Sequence, residues 1–241
     1  MKTMGQMVAV VAAASLLLGV VAQGLAYDGG EVKDGGTISG VVKFAGAPPA
    51  RKAVEVTKDK EVCGKEKHLS WDLVVGSDKG IENVVVRLVD VKKGKKWAST
   101  KATLDQKGCV YRPHVTVVPA GGELDILNSD GILHNIHTYS KANPAINKAQ
   151  PKFKKVLTEK FAKPETIKAT CDAHGWMSGY IVVSDHPYVA VTDEKGAFSL
   201  KDVPPGSYKL ELWQETLGQS VKDVTVKAKE ETKLSIELAK K

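Results

Sequence analysis

The chain has 241 residues, with 35 lysines and arginines against 28 aspartates and glutamates, for a formal net charge of +7. That moderate excess favours acidic surfaces. The lysines are scattered, however, and aromatics make up only 6% of the residues, which argues against nucleic acid as a partner. The length permits one large or two modest domains with a substantial core.

Residues 1–26 combine Lys2, an apolar run from about Met7 to Ala22 and the small-residue stretch Gly24-Leu25-Ala26. This is the pattern of a secretory signal peptide cleaved after Ala26, and it predicts an exported protein, periplasmic or extracellular. An uncleaved anchor is the rival reading. The run is at the short end of what spans a bilayer, and no second such run follows, so no transmembrane segment is expected after cleavage.

Beyond the leader the runs are short, rich in β-branched residues and separated by Gly, Pro, Asn and Asp. GTISGVVKF, RKAVEVT, IENVVVRLVDV, GCVYRPHVTVV, ELDILN, ETIKATC and YIVVSD predict an all-β sandwich over residues 35–185. KKGKK at Lys92–Lys96 reads as a hairpin tip, and YSKANPAINKAQP, from Tyr139 to Pro151, reads as loop. After Asp185-His186-Pro187 the spacing tightens to YVAVTD, AFSL, SYKLELWQE, VKDVTV and ETKLSIELA, which predicts a second, small β domain over 187–241. About 55 residues give a marginal core, so this domain is expected to pack against the first.

Three cysteines in an exported chain leave one unpaired after a single disulfide. Cys63 and Cys109 each lie beside glycine at turns, and the expected pair is Cys63 with Cys109. Cys171 ends a strand-like run and opens CDAHGWM, in which His174 and Met177 follow at three-residue steps. Met177 is the sole methionine outside the leader. Together these positions point to a metal site. Extended, the seven residues would span about 20 Å, so the segment must curl to bring its donors together, and Gly175 is the expected source of backbone freedom.

A further donor is expected upstream in NSDGILHNIHTYS. His134 and His137 have opposite strand parity, so only one can face the site. Thiolate, thioether and two imidazoles suit copper in both oxidation states, whereas zinc gains little from methionine. His114 reads as a hydrogen-bonded structural residue, His68 lies in a charged loop, and His186 marks a boundary. The lysines between Lys148 and Lys163 read mainly as a solvated face.

His134-Asn135-Ile136-His137 and the Cys-x2-His-x2-Met spacing of Cys171, His174 and Met177 resemble the cupredoxins, blue copper proteins, with amicyanin spacing. The resemblance is specific over about residues 108–184. It implies a Greek-key β-sandwich holding one copper ion through His134, Cys171, His174 and Met177. It implies that Asn135 ties the cysteine loop to the first histidine, and that the ring edge of His174 reaches the surface in a partner-docking patch that includes Trp176. Ala173 departs from the family, where amicyanin has proline. VTDEKGAFSL through DVPPGSYKLEL resembles the carboxypeptidase regulatory-like domain, a transthyretin-like β-sandwich. The combination looks like exported proteins labelled methylamine utilization proteins, a label that would imply accepting electrons from an amine dehydrogenase.

The leading functional expectation is a one-electron carrier between redox proteins such as a cytochrome or a dehydrogenase. Copper delivery or storage, and adhesion or carbohydrate binding, are the alternatives. No phosphate loop, haem attachment or Ser/His/Asp grouping is evident, so enzymatic activity is not expected.

Overall fold

A computed structural model describes residues 27–240; the expected leader, residues 1–26, lies outside the described residues. The protein is all-β, as expected, and among the described residues the one helix is the single turn Lys60–Cys63.

Two sheets enclose the core nearest the cysteine loop. In one, Lys101–Gln106 lies between Tyr111–Arg112 and Glu123–Asn128, and Val156–Lys160 forms the far edge. In the other, Val115–Pro119, Ser178–Ser184, Glu165–Thr170, His134–Thr138 and Asn147–Gln150 follow in that order. Alternation explains how they face each other. In Glu123–Asn128 the side chains of Leu124, Ile126 and Asn128 are buried while their neighbours are half-buried, the period of two that a one-faced strand requires. Leu124 and Ile126 share one core with Ile136, Ile167, Ala169 and Ile181 of the opposing sheet.

A second pair of sheets combines both ends of the described chain. Gly36–Phe44 runs antiparallel to Ala197–Val203 and parallel to Glu231–Leu238. Val85–Val89 lies between Val189–Val191 and Gly206–Gln214, and Gly218–Val226 completes that sheet. Their shared core draws Ile38, Val42, Val86 and Leu88 from the early segments and Phe198, Leu210, Leu212 and Ile236 from the late ones.

The expected cut between 35–185 and 187–241 therefore does not follow the strand pairing. GTISGVVKF and the Val85–Val89 part of IENVVVRLVDV are strands, but their strand partners lie beyond residue 187. The physical reason is core size. The late strands alone enclose too little apolar surface, and two early strands supply the missing faces. A third cluster of Val85, Val115 and Val182, with Tyr180 and Trp213 against it, fills the seam between the two halves.

Three local expectations also change. KKGKK is not a hairpin tip, since Lys93–Lys95 pairs in parallel with Asp28–Gly30. The Tyr139–Pro151 loop ends in a strand, Asn147–Gln150, paired with His134–Thr138. RKAVEVT contributes only Ala53–Val54, paired with His68–Leu69 in the segment that carries Cys63.

Candidate metal centre

His134 enters its strand from the turn Asn128–Gly131, where Gly131 adopts a positive φ of 70° that favours glycine. Asn128 is buried, and its side-chain amide donates to the carbonyls of Ile132 (2.8 Å) and Gln150 (2.9 Å), which fixes the entry of the strand. His134 and Ile136 then share the inner face, while Asn135 and His137 point the other way. Strand parity thus selects His134, with its side chain fully buried. His137 bonds through Nδ1 to Asp172 (3.0 Å) on the outer face.

The CDAHGWM segment curls through its own backbone. Cys171 O accepts from His174 N (3.2 Å), His174 O accepts from Met177 N (2.9 Å), and Met177 O accepts from Cys171 N (3.2 Å). Successive i to i+3 turns bring every third residue to the same side, which explains the three-residue steps. Gly175 is not what permits the curl. It is absent from the positive-φ residues, and an added Cβ there would meet nothing within 4 Å. Cys171 and Met177 are both buried in the same apolar cluster, and Cys171 is a free thiol.

Three donors converge. His134 Nδ1 and His174 Nδ1 are 3.1 Å apart, and Cys171 Sγ lies 4.0 Å from the first and 3.7 Å from the second. Metal bonds of about 2.0–2.3 Å arranged around one ion place such donors roughly 3.3–3.8 Å apart, so the residues fit a first-row metal. The grouping of Cys109, Asp130 and His134 does not offer a second site, because the Cys109 sulfur is committed to a disulfide.

Each imidazole has its outer nitrogen on a carboxylate. His134 Nε2 meets Asp130 Oδ2 at 2.8 Å, and His174 Nε2 meets Asp59 Oδ2 at 2.8 Å. Asp130 also accepts from the backbone of Gly108 (2.6 Å) and Cys109 (2.9 Å). Burial disfavours a charged His134, but its bonds to Asp130 and Cys171 outweigh burial and raise its pKa from 6.5 to about 9. At His174 burial prevails, reinforced by His134 against the opposing pull of Asp59, and the pKa falls below its ordinary value.

Asn135 ties the two strand ends together. Its Oδ1 accepts from Asp172 N (2.9 Å), and its amide donates to Asn147. Tyr111, which the sequence does not single out, adds a second tie. Its hydroxyl lies 2.7 Å from Asn135 O and 2.9 Å from Thr170 O, beside both His134 and Cys171.

The docking patch is not as expected. His174 is fully buried, with no ring edge at the surface. Trp176 is half-buried, packs 5.0 Å from the His174 ring and donates its indole N–H to Cys109 O (3.1 Å). His174 is met by Asp59, on the segment that Cys63 anchors to Cys109. Neither Asp59 nor Asp130 carries a sequence signal beyond a turn residue; Asp130, four residues before His134, was the more accessible of the two. His114 lies in the seam, bonded to Glu215 at 2.6 Å. His68 Nε2 contacts Cys63 O (2.8 Å), and His186 is buried near Tyr188. Within the lysine run, Lys148 and Lys160 pair with Glu159 and Glu123.

Fold and site together define an all-β protein with a buried His, Cys, His donor cluster at the end of a sheet. Comparison with known proteins adds the following. The family described as polysaccharide lyase family 4, domain II, matches residues 160–234. Among solved structures, a mutant of amicyanin in the Cu(I) form is 20% identical, with 37% of this chain and 87% of that chain covered and a TM-score of 0.32. An oxidised amicyanin mutant is 22% identical over the same shares, with a TM-score of 0.33. A copper-containing nitrite reductase from Thermus scotoductus SA-01 is 22% identical, covering 37% of this chain and 24% of that one, with a TM-score of 0.31. No curated protein matches the chain.

Proposed function

We propose that the protein is an exported, periplasmic or extracellular, single-copper electron carrier, with His134, Cys171 and His174 as the strong donors and Met177 as the weak fourth. The observation that carries this reading is the convergence of two imidazole nitrogens and one free thiol within 4.0 Å of one another in a buried pocket. Soft sulfur and borderline imidazole are the donors that copper prefers. When bound, the ion supplies a one-electron Cu(I)/Cu(II) couple.

The chain's own residues hold the donor frame still. Asn135 and Tyr111 brace the two strand ends, and three backbone hydrogen bonds close the cysteine loop. With Met177 as the fourth donor, no position would be left for a substrate, which favours a carrier over an enzyme. Full burial of His134, Cys171 and His174 favours a resident ion over one handed on to another protein. The partners would be redox proteins such as a cytochrome or a dehydrogenase, and the second pair of sheets would serve as scaffold. Among the described residues, no helix is long and apolar enough to cross a membrane.

The test is the visible and electron paramagnetic resonance spectrum after Cu(II) addition. An intense visible band, expected from the resemblance to blue copper proteins with a thiolate ligand, should be lost in Cys171→Ser and shifted in Met177→Leu. A colourless protein, or a spectrum indifferent to Cys171, refutes the reading.

A further inference from the structure

We propose that Asp59, contributed by the disulfide-bonded segment laid over the cysteine loop, is a positioning residue of the metal centre that holds His174 and lowers the reduction potential. This inference rests on the copper reading above.

The local geometry around Asp59 is what singles it out. It occupies the position before the helical turn Lys60–Cys63, where an aspartate ordinarily accepts a hydrogen bond from the first backbone N–H groups. Asp59 makes no such cap bond. Its backbone is instead left-handed, with φ 47° and ψ 44°, a conformation that a non-glycine residue adopts only at a cost. That turn aims the carboxylate at His174 Nε2, 2.8 Å away and 115 residues further along the chain. The local cap is given up for a distant contact.

The carboxylate sits on a braced segment. Cys63 N and Val62 N donate to Asp59 O (2.8 and 2.9 Å), and Cys63 is bonded to Cys109, whose own N–H donates to Asp130. Both supporting carboxylates are therefore braced from one disulfide, Asp59 on the segment that Cys63 anchors and Asp130 through the hydrogen bond it accepts from the Cys109 amide. The His174 side chain is fully buried, whereas that of Asp59 is 42% exposed. Asp59 is thus the group through which the imidazole meets solvent.

A carboxylate on the outer nitrogen fixes the tautomer, leaves Nδ1 free for the metal and makes the ring a stronger donor. Its negative charge favours the more positive oxidation state. Replacing such a supporting partner typically weakens metal binding by about 10–100-fold. If that loss falls on Cu(II) and spares Cu(I), the midpoint potential rises by about 59 mV per tenfold.

The experiment compares the midpoint potentials of copper-loaded wild type, Asp59→Asn and Glu61→Gln. Asparagine tolerates the left-handed backbone and keeps the shape while removing the charge. Glu61 is an exposed acid on the same turn, and its variant makes the same change in charge away from His174. The expected result is a potential raised by about 59–118 mV in Asp59→Asn, from the 10–100-fold weakening, with altered copper hyperfine splitting and little change in Glu61→Gln. Equal potentials in wild type and Asp59→Asn, or equal shifts in both variants, overturn the role of Asp59 while the copper centre stands. Absence of a Cys171-dependent copper band in wild type overturns the copper reading and this inference with it.

Discussion

Tyr111→Phe tests how the two ligand-bearing strand ends are held together. Tyr111 is 2% exposed, and its hydroxyl is shared between the carbonyls of Asn135 and Thr170 at 2.7 and 2.9 Å. Burial, then the charges of Cys171 and Asp172, hold the phenol well above its usual range, so it remains a donor at any ordinary pH. Phenylalanine keeps the ring and its packing, so the change isolates the hydroxyl. A buried acceptor deprived of its donor costs about 1–3 kcal/mol. At ~2–4 °C per kcal/mol for a chain of this size, the metal-free variant should melt roughly 2–12 °C lower. Thermal and urea unfolding followed by circular dichroism give both quantities. A variant within about 0.5 kcal/mol of wild type, the range of an unremarkable surface change, would refute the claim that this hydroxyl braces the site.

Two further outcomes are expected. Replacing both Cys63 and Cys109 by alanine opens a loop of 46 residues, for which chain entropy gives a loss of about 4 kcal/mol; urea denaturation of the two proteins measures it, and a loss under about 1 kcal/mol contradicts the entropic account. Glu165 clasps the loop after Tyr139 by accepting from Lys141 N, Asn143 N and the Asn143 amide. Partial burial opposes the charged form, but those bonds outweigh it and lower its pKa below 4.5. The resulting stability is present above the unfolded value and is lost as pH falls through the folded one. Glu165→Gln should therefore be less stable than wild type at pH 7, and the gap in urea midpoint should close as pH drops below 4.5; a gap independent of pH would contradict this.

The candidate site was legible wherever its chemistry is local in sequence. Cys171, His174 and Met177 stand at a spacing that successive turns can satisfy, and strand parity separates His134 from His137 without knowledge of any partner strand. Asp59 was not legible, because its contact with His174 depends on how a distant segment folds over the site, and an aspartate before a short helical turn reads as a cap. The same limit applies to the fold. The β-branched alternation of Gly36–Phe44 and Val85–Val89 identifies them as strands, but nothing in either run names its neighbour. The punctuation at Asp185-His186-Pro187 looks like a boundary because the chain does change sheets there. What lies beyond it is the completion of sheets already begun upstream.

That completion has a consequence for the order of assembly. Thr37 pairs with Glu231 and Phe44 with Leu238, so a strand made near the start of the chain has no neighbour on that side until the final strand is made. The sheets around the cysteine loop draw only on residues synthesised between these two events. A growing chain can therefore close the donor cluster while Gly36–Phe44 still presents an open edge, a state in which unpaired backbone invites association with other chains. The last strand acts as a latch on that edge, and the interval before it arrives is when the protein is most exposed to misassembly.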